Sequence, residues 1–224
     1  MARNTRRANH KKESVWKRGI AVDRRSTIGL AFLNVNGWNE VVKDDVEKAM
    51  ECMNVDIFSL VETNAKKKPG DYRPPVKVEG CRVIEVQREG VGARLGGGIA
   101  CVVRKSTGVV VTRHDPMISN PERNYVASER LWVKYKSDHG KSAICTTYLG
   151  FQADDNRHQE WNEGIYEVLA EEIRALRGDG YRVILQGDFN AWVGNVLEQG
   201  GIPGNRQKIT KNGELFLSFL ADGE

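Results

Sequence analysis

The chain has little of several things that would narrow its class at once. No apolar run approaches the about 20 residues that a helix needs to cross a bilayer, so no helical membrane span is expected. Cysteine is scarce: Cys52, Cys81, Cys101 and Cys145 stand 29, 20 and 44 residues apart, without the short paired spacing of a zinc site or a redox motif. Each lies in or beside an apolar segment, so reduced thiols buried as small hydrophobes are expected rather than ligands, nucleophiles or disulfides. The four histidines, His10, His114, His139 and His158, are scattered and make no ligand pair. No internal repeat is visible.

What is present is ordinary in amount and uneven in placement. With 224 residues, 40% hydrophobic and 29% charged, the chain can bury one sizeable core. Nine of the first 25 residues are Lys or Arg against Glu13 and Asp23, a balance of +7, so the remainder of a chain whose net charge is +4 stands at −3. A basic tail over 1–26, too poor in apolar residues to repay ordering, and one domain over 27–224 are the expected division. Such a tail suits DNA, RNA or a nuclear-import receptor, and a solubilising leader is the blander reading. No apolar stretch follows it as in a secretory leader, so an intracellular, nuclear location is expected.

From residue 28 the pattern becomes that of a folded domain. An apolar run over 28–33 ends in Asn34-Val35-Asn36-Gly37 and reads as a buried strand entering a turn. Val46, Ala49, Met50 and Met53 recur at helical spacing behind Asp44-Asp45, which suits a helix N-terminus. A second apolar strand, 56–62, follows. Strand, helix and strand over so short a stretch make a parallel crossover, which brings Asn34 and Glu62 to the same sheet edge. Residues 64–80, with Lys66-Lys67-Lys68-Pro69-Gly70 and Pro74-Pro75, form a loop. Short β-type runs at 81–86, 98–104, 108–112, 130–136 and 142–149 predict antiparallel sheet. Trp161, Ile165, Val168, Leu169, Ile173 and Leu176 mark one face of a helix over 157–177 that ends at Gly178. The strand Val183-Ile184-Leu185 runs into Gly187-Asp188-Phe189-Asn190, and a Gly- and Asn-rich loop over 194–213 leads to a last short helix from Glu214 to Leu220.

Four strands therefore end in polar residues: Asn34 with Asn36, then Glu62, Tyr148, and Asp188 with Asn190. Strand ends and the loops beyond them are where layered α/β proteins build their sites. Two carboxylates, amides and a phenol at one spot can hold Mg2+ through hard oxygens, position a water and donate hydrogen bonds to a phosphorane as charge builds. Taken singly each has a plainer use: Asn36-Gly37 as a tight turn, Glu62 as a cap, Asp188 as part of a β-turn, Tyr148 as a sheet aromatic.

Read in order, Leu33-Asn34-Val35-Asn36-Gly37, Leu60-Val61-Glu62-Thr63, Thr147-Tyr148-Leu149 and Gly187-Asp188-Phe189-Asn190-Ala191 resemble the signature of the endonuclease/exonuclease/phosphatase superfamily, over about residues 27–220. The further motif Thr210-Lys211-Asn212-Gly213-Glu214-Leu215 with Phe219-Leu220 looks like the endonuclease domain of non-LTR retrotransposons. The resemblance implies a four-layer α/β/β/α sandwich of the DNase-I-like kind and a metal-dependent endonuclease that nicks DNA to leave a 3'-hydroxyl. It implies Mg2+ as cofactor, with Mn2+ as a substitute, and a downstream reverse transcriptase domain in a longer polypeptide, whose synthesis the 3'-hydroxyl primes. It assigns Asn34, Glu62, Asp188 and Asn190 to the metal site. Tyr148 would donate to the scissile phosphate, and Asp188, helped by Asn190, would orient and deprotonate the attacking water.

Two departures from the family stand out. Asn36 occupies a position that is often acidic. The final strands, which in the family carry another aspartate and an Asp-His pair, would lie beyond Glu224, so the sandwich is expected to be incomplete at its C-terminal end. Ser137-Asp138-His139 has matching letters but falls between two β-runs and reads as a hairpin turn. Two further functions stay open: an inactive nucleic-acid-binding module, which would bind DNA in a salt-dependent way without cleaving it, and a phosphatase or phosphodiesterase of the same superfamily acting on another substrate.

Overall fold

The computed structural model describes residues 27–64, 75–86, 97–107, 110–114, 130–137, 140–149, 156–193 and 209–222. The basic tail, the lysine-rich loop at 66–68 and the Asp138-His139 pair lie outside these residues. In chain order the elements are β1 (Leu30–Asn34), α1 (Glu40–Cys52), β2 (Ile57–Val61), β3 (Cys81–Val86), β4 (Ile99–Arg104), a 3-10 turn (Lys105–Thr107) and β5 (Val111–His114). β6 (Arg130–Ser137), β7 (Gly140–Tyr148), α2 (Asn156–Gly178), β8 (Arg182–Asp188) and α3 (Lys211–Ala221) follow.

The strands form two four-stranded sheets, one in the order β1-β2-β4-β3 and one in the order β5-β6-β7-β8. In the first, β1 and β2 run parallel, as the crossover pattern predicts, and β4 pairs antiparallel with both β2 and β3. In the second, β5, β6 and β7 are antiparallel and β8 joins β7 in parallel.

Alternation along each strand explains the layering. In β2, Phe58 and Leu60 pack with Val46, Ala49 and Met50 of α1, while Ile57 and Val61 face the other sheet. In β4, Ala100 and Val102 belong to the α1 side, and Ile99, Cys101 and Val103 to the interior between the sheets. β6 and β7 repeat the rule: Leu131, Val133 and Ile144 point between the sheets, whereas Trp132, Ala143 and Cys145 pack on Ile165, Val168 and Leu169 of α2. Phe216 and Phe219 of α3 complete that outer layer. The result is the expected α/β/β/α sandwich. Because both faces of the central strands are covered, their sequences are apolar throughout rather than alternating. Each fully buried Leu, Ile or Val contributes about 1.5–3 kcal/mol.

Three local expectations are corrected. α1 begins at Glu40, four residues before Asp44, because Asn39 caps it: the Asn39 side chain accepts a hydrogen bond from the Val42 N–H at 3.1 Å. Asp44 and Asp45 therefore lie inside the helix, on its exposed side. Met53 falls beyond the helix end and is exposed. Cys52 is exposed and Cys81 half-buried, so only Cys101 and Cys145 are the buried thiols expected of all four. Burial pushes the Cys101 thiol up to about 12, and burial again, with Glu172 nearby, holds Cys145 well above the ordinary thiol value.

One ion pair went unforeseen. Arg130 of β6 donates from Nε to both carboxylate oxygens of Glu172, at 3.0 and 2.8 Å, and from Nη2 at 2.5 Å; Trp132 Nε1 donates to the same carboxylate at 2.6 Å. All three residues are buried. Glu172 sits on the apolar side of α2, where a carboxylate is sustained only because four hydrogen bonds meet it.

Candidate active site

The sequence-predicted residues gather at one mouth of the sandwich, where β1, β2, β7 and β8 all end. Asn34 is the last residue of β1 and pairs with Val61 of β2, so Glu62 emerges one residue beyond it. Tyr148 and Asp188 are register partners at the ends of β7 and β8. By the alternation above, Asn34, Tyr148 and Asp188 lie on the strand faces that look between the sheets. A hydrogen bond joins them across the gap: Asn34 Nδ2 donates to Asp188 Oδ2 at 2.9 Å.

β1 and β8 end in one local design. Asn34 Oδ1 accepts from the Asn36 N–H at 3.1 Å, and Asp188 Oδ1 accepts from the Asn190 N–H at 3.1 Å. Asn36 and Asn190 then turn the chain with φ of 46° and 45°. Asn tolerates this left-handed region better than most residues do, and an Asx side chain that bonds two residues ahead stabilises the turn. Glu62 shares the strained conformation, with φ of 57°. Three of the four non-glycine residues of positive φ among the described residues thus stand at this mouth, a concentration typical of functional sites.

Backbone bonds fix the first half. Val35, Gly37 and Trp38 donate to the carbonyls of Val61, Glu62 and Thr63 at 3.1, 2.8 and 2.7 Å, which ties the turn after β1 to the exit of β2. Gly98, with φ of 92°, lets the start of β4 approach from the other side: a Cβ there would stand 2.4 Å from Thr63 Oγ1.

Side chains fix the second half. Asn190 Nδ2 donates to the Leu149 carbonyl at 2.7 Å, and the Leu149 N–H donates to the Asp188 carbonyl at 2.9 Å. Gly187 is required here because a Cβ would meet the Thr147 carbonyl oxygen at 2.1 Å, which gives a physical reason for the glycine that opens the Gly-Asp-Phe-Asn motif. The start of α3 closes over the segment from behind: fully buried Asn212 donates to the Phe189 carbonyl, and Thr210 Oγ1 accepts from the Trp192 N–H at 3.2 Å and caps α3 by accepting from Gly213 at 3.1 Å. Asn212 was legible only as a letter in a motif. Its place beneath the site depends on a contact 23 residues back along the chain.

The donors suit a hard cation. Glu62 is half-buried, and its carboxylate takes no hydrogen bond or ion pair from the described residues. Asp188 has spent one lone pair on each oxygen and keeps others. Among the described residues no three of His, Cys, Asp or Glu cluster, so any cation here rests on two carboxylates and amide oxygens. Mg2+, which keeps several of its waters and commonly binds proteins through one or two carboxylates, fits such a set. Asn34, expected to line a metal, donates from Nδ2 to Asp188 and accepts at Oδ1 from the Asn36 N–H.

Beneath the mouth lies a polar group that sequence reading missed. Thr146 Oγ1 donates to Ser59 Oγ at 2.7 Å and Gln186 Nε2 donates to the same oxygen at 2.6 Å, across the two sheets. Polar letters inside apolar strands were the available signal.

No family model matches the chain and no curated protein matches it in sequence. Solved structures do match in shape. AP endonuclease LMAP from Leishmania major superposes with a TM-score of 0.57 at 16% identity, covering 95% of this chain and 74% of that one. The endonuclease domain of TRAS1, a telomere-specific non-LTR retrotransposon, gives 0.47 at 15% identity, covering 88% and 70%. TDP2 from C. elegans gives 0.48 at 17% identity, covering 80% and 51%. Together with the layer order, the likeness to the Leishmania enzyme shows that this chain has a DNase-I-like α/β/β/α fold.

Proposed function

We propose that this chain is a magnesium-dependent phosphodiesterase that nicks DNA as an endonuclease and leaves a 3'-hydroxyl. The observation that supports it most is the Asn34 to Asp188 hydrogen bond across the sheets, at the mouth where Glu62 leaves β2. Asp188 is held by two donors, one on each oxygen, which fixes the carboxylate and leaves further lone pairs on both oxygens. In that position it orients the attacking water and takes its proton, with Asn190 assisting; Tyr148, its register partner, donates to the phosphate oxygens. When held by Glu62 with oxygens of Asp188, Asn190 and Asn34, Mg2+ or Mn2+ supplies a Lewis acid that lowers the pKa of water and neutralises phosphate charge.

The basic tail over 1–26 and Lys66, Lys67 and Lys68 favour a nucleic-acid substrate, since phosphate neutralisation dominates non-specific affinity. The tail also suits RNA and import into the nucleus. The motif about Asn212 favours the retrotransposon setting within the superfamily, where the 3'-hydroxyl primes a reverse transcriptase domain of the same longer polypeptide.

The test is nicking of supercoiled plasmid by the purified chain with and without Mg2+, beside Asp188→Ala and Glu62→Ala. Cleavage that requires both the metal and both carboxylates is expected. Salt-dependent DNA binding with no cleavage at any Mg2+ or Mn2+ concentration would overturn the reading in favour of a binding module.

A further inference from the structure

We infer that the Ser59, Thr146 and Gln186 group is a positioning device that sets the spacing between the two halves of the site. Ser59 and Thr146 are fully buried, and the one oxygen of Ser59, in the first sheet, accepts from two side chains of the second. The residues two before and two after Ser59 on the same face are Ile57 and Val61, both in the apolar interior, and Ile144 and Ile184 stand likewise below Thr146 and Gln186. The group is thus a polar layer inserted into an apolar interior, and the next layer up is the site: Thr146 lies two residues from Tyr148 and Gln186 two residues from Asp188. At about 3.3 Å per residue the two layers are roughly 6.6 Å apart along the strands.

Apolar packing tolerates small slips between sheets, because dispersion is soft and non-directional. Two hydrogen bonds of 2.6 and 2.7 Å on one oxygen are directional and lose strength steeply with displacement. They therefore hold β2 against β7 and β8 just below the Asn34 to Asp188 bond, which itself spans the sheets. An interior chosen for stability alone could carry aliphatic side chains at all three positions, since replacing every partner of a buried hydrogen-bond group by apolar groups is close to neutral. The geometry points to spacing as what the polar layer supplies. The kinetic consequence rests on the endonuclease reading; the structural one does not.

The experiment uses the whole chain. Thr146→Val keeps the methyl and loses the hydroxyl, Thr146→Ser does the opposite, Ser59→Ala removes the shared acceptor, and Gln186→Met removes one donor at a half-buried position where folding is least at risk. Ile144→Val serves as a packing control from the same interior. Two quantities are read: kcat and KM for Mg2+-dependent plasmid nicking, and the NMR signal of the Asn34 side-chain amide in metal-free protein. Thr146→Val and Ser59→Ala are expected to lower kcat about tenfold with KM for DNA unchanged and to shift or split the Asn34 amide signal, since misplacement by an ångström can cost even more than that. Gln186→Met follows in the same direction with a smaller change, Thr146→Ser stays within about twofold of the parent, and Ile144→Val leaves both readouts in place. An Asn34 amide unmoved in Thr146→Val, Ser59→Ala and Gln186→Met, with kcat also unmoved, overturns the inference and leaves the group as packing. If the parent chain does not nick, the endonuclease reading fails on its own, and the amide signal alone decides this one.

Discussion

Strands β1 and β8 finish in the same turn and differ at it by one chemical group. In each, an Asx oxygen accepts from the amide two residues ahead at 3.1 Å, and an asparagine turns the chain at φ near 45°. At β1 the Asx is Asn34, a donor; at β8 it is Asp188, an acceptor that carries charge. The comparison separates frame from chemistry. The turn is a backbone device used twice, once in each sheet, whereas the two sides differ in which carries the carboxylate and which the amide, the difference on which the proposed reaction turns. The halves also differ in support: backbone hydrogen bonds to β2 hold the first, and side chains of Asn190, Thr210 and Asn212 hold the second.

The largest expected effect comes from making the two sides alike. Asp188→Asn leaves an oxygen for the Asn190 N–H, so the turn should survive, while the proton acceptor is lost and an NH2 group replaces the oxygen that Asn34 bonds. Nicking should fall about a thousandfold, with the melting temperature lowered by no more than about 6 °C. A loss of cleavage smaller than tenfold would mean that another group takes the proton.

Making the sides alike in the other sense gives a pH-dependent fault. Asn34→Asp removes the donor and sets two carboxylates about 2.9 Å apart, close enough to share one proton, which lifts one of the pair's two pKa values above the ordinary carboxylate range. A lifted folded-state pKa means that the pair's stability is full below the unfolded value near 4 and is lost as pH rises through the folded one. Metal-free Asn34→Asp protein should therefore be less stable than the parent at pH 7, by about 1–3 kcal/mol, and should approach it near pH 4. Urea denaturation across that range checks it, and a pH-independent difference sinks the argument.

The smallest effects test the frame. Asn36→Ala forces a Cβ-bearing residue without a helpful side chain into the left-handed region at a cost of about 1–2 kcal/mol, whereas Asn36→Gly should be close to neutral. Asn190→Ala should cost about 1 kcal/mol more than Asn36→Ala, because it also removes the 2.7 Å bond to the Leu149 carbonyl. Equal costs would show that side-chain support of the second half contributes nothing net.

Much of this was legible in the chain itself. Strand ends at Asn34, Val61 and Tyr148 match the apolar runs to within a residue, because a run stops where the layer stops, whereas β8 continues to Asp188, three residues past the apolar Leu185. Helix starts were read late, at Asp44 and Glu214, while the caps are Asn39 and Thr210. A cap acts through a side chain bonded to a backbone amide, which periodicity does not register.

Sequence by itself showed which polar letters follow the apolar runs of β1, β2 and β7, although the run of β8 stops at Gln186, still inside the layer. It also determined the parallel crossover that lays Asn34 beside the exit of β2. Only the tertiary structure decided that Asn34 of one sheet meets Asp188 of the other, 154 residues later, that Ser59 gathers Thr146 and Gln186 beneath them, and that Arg130 sustains Glu172 inside the second sheet's outer layer. Those contacts depend on how two sheets are stacked face to face, and no local pattern along a strand encodes the distance to the strand opposite.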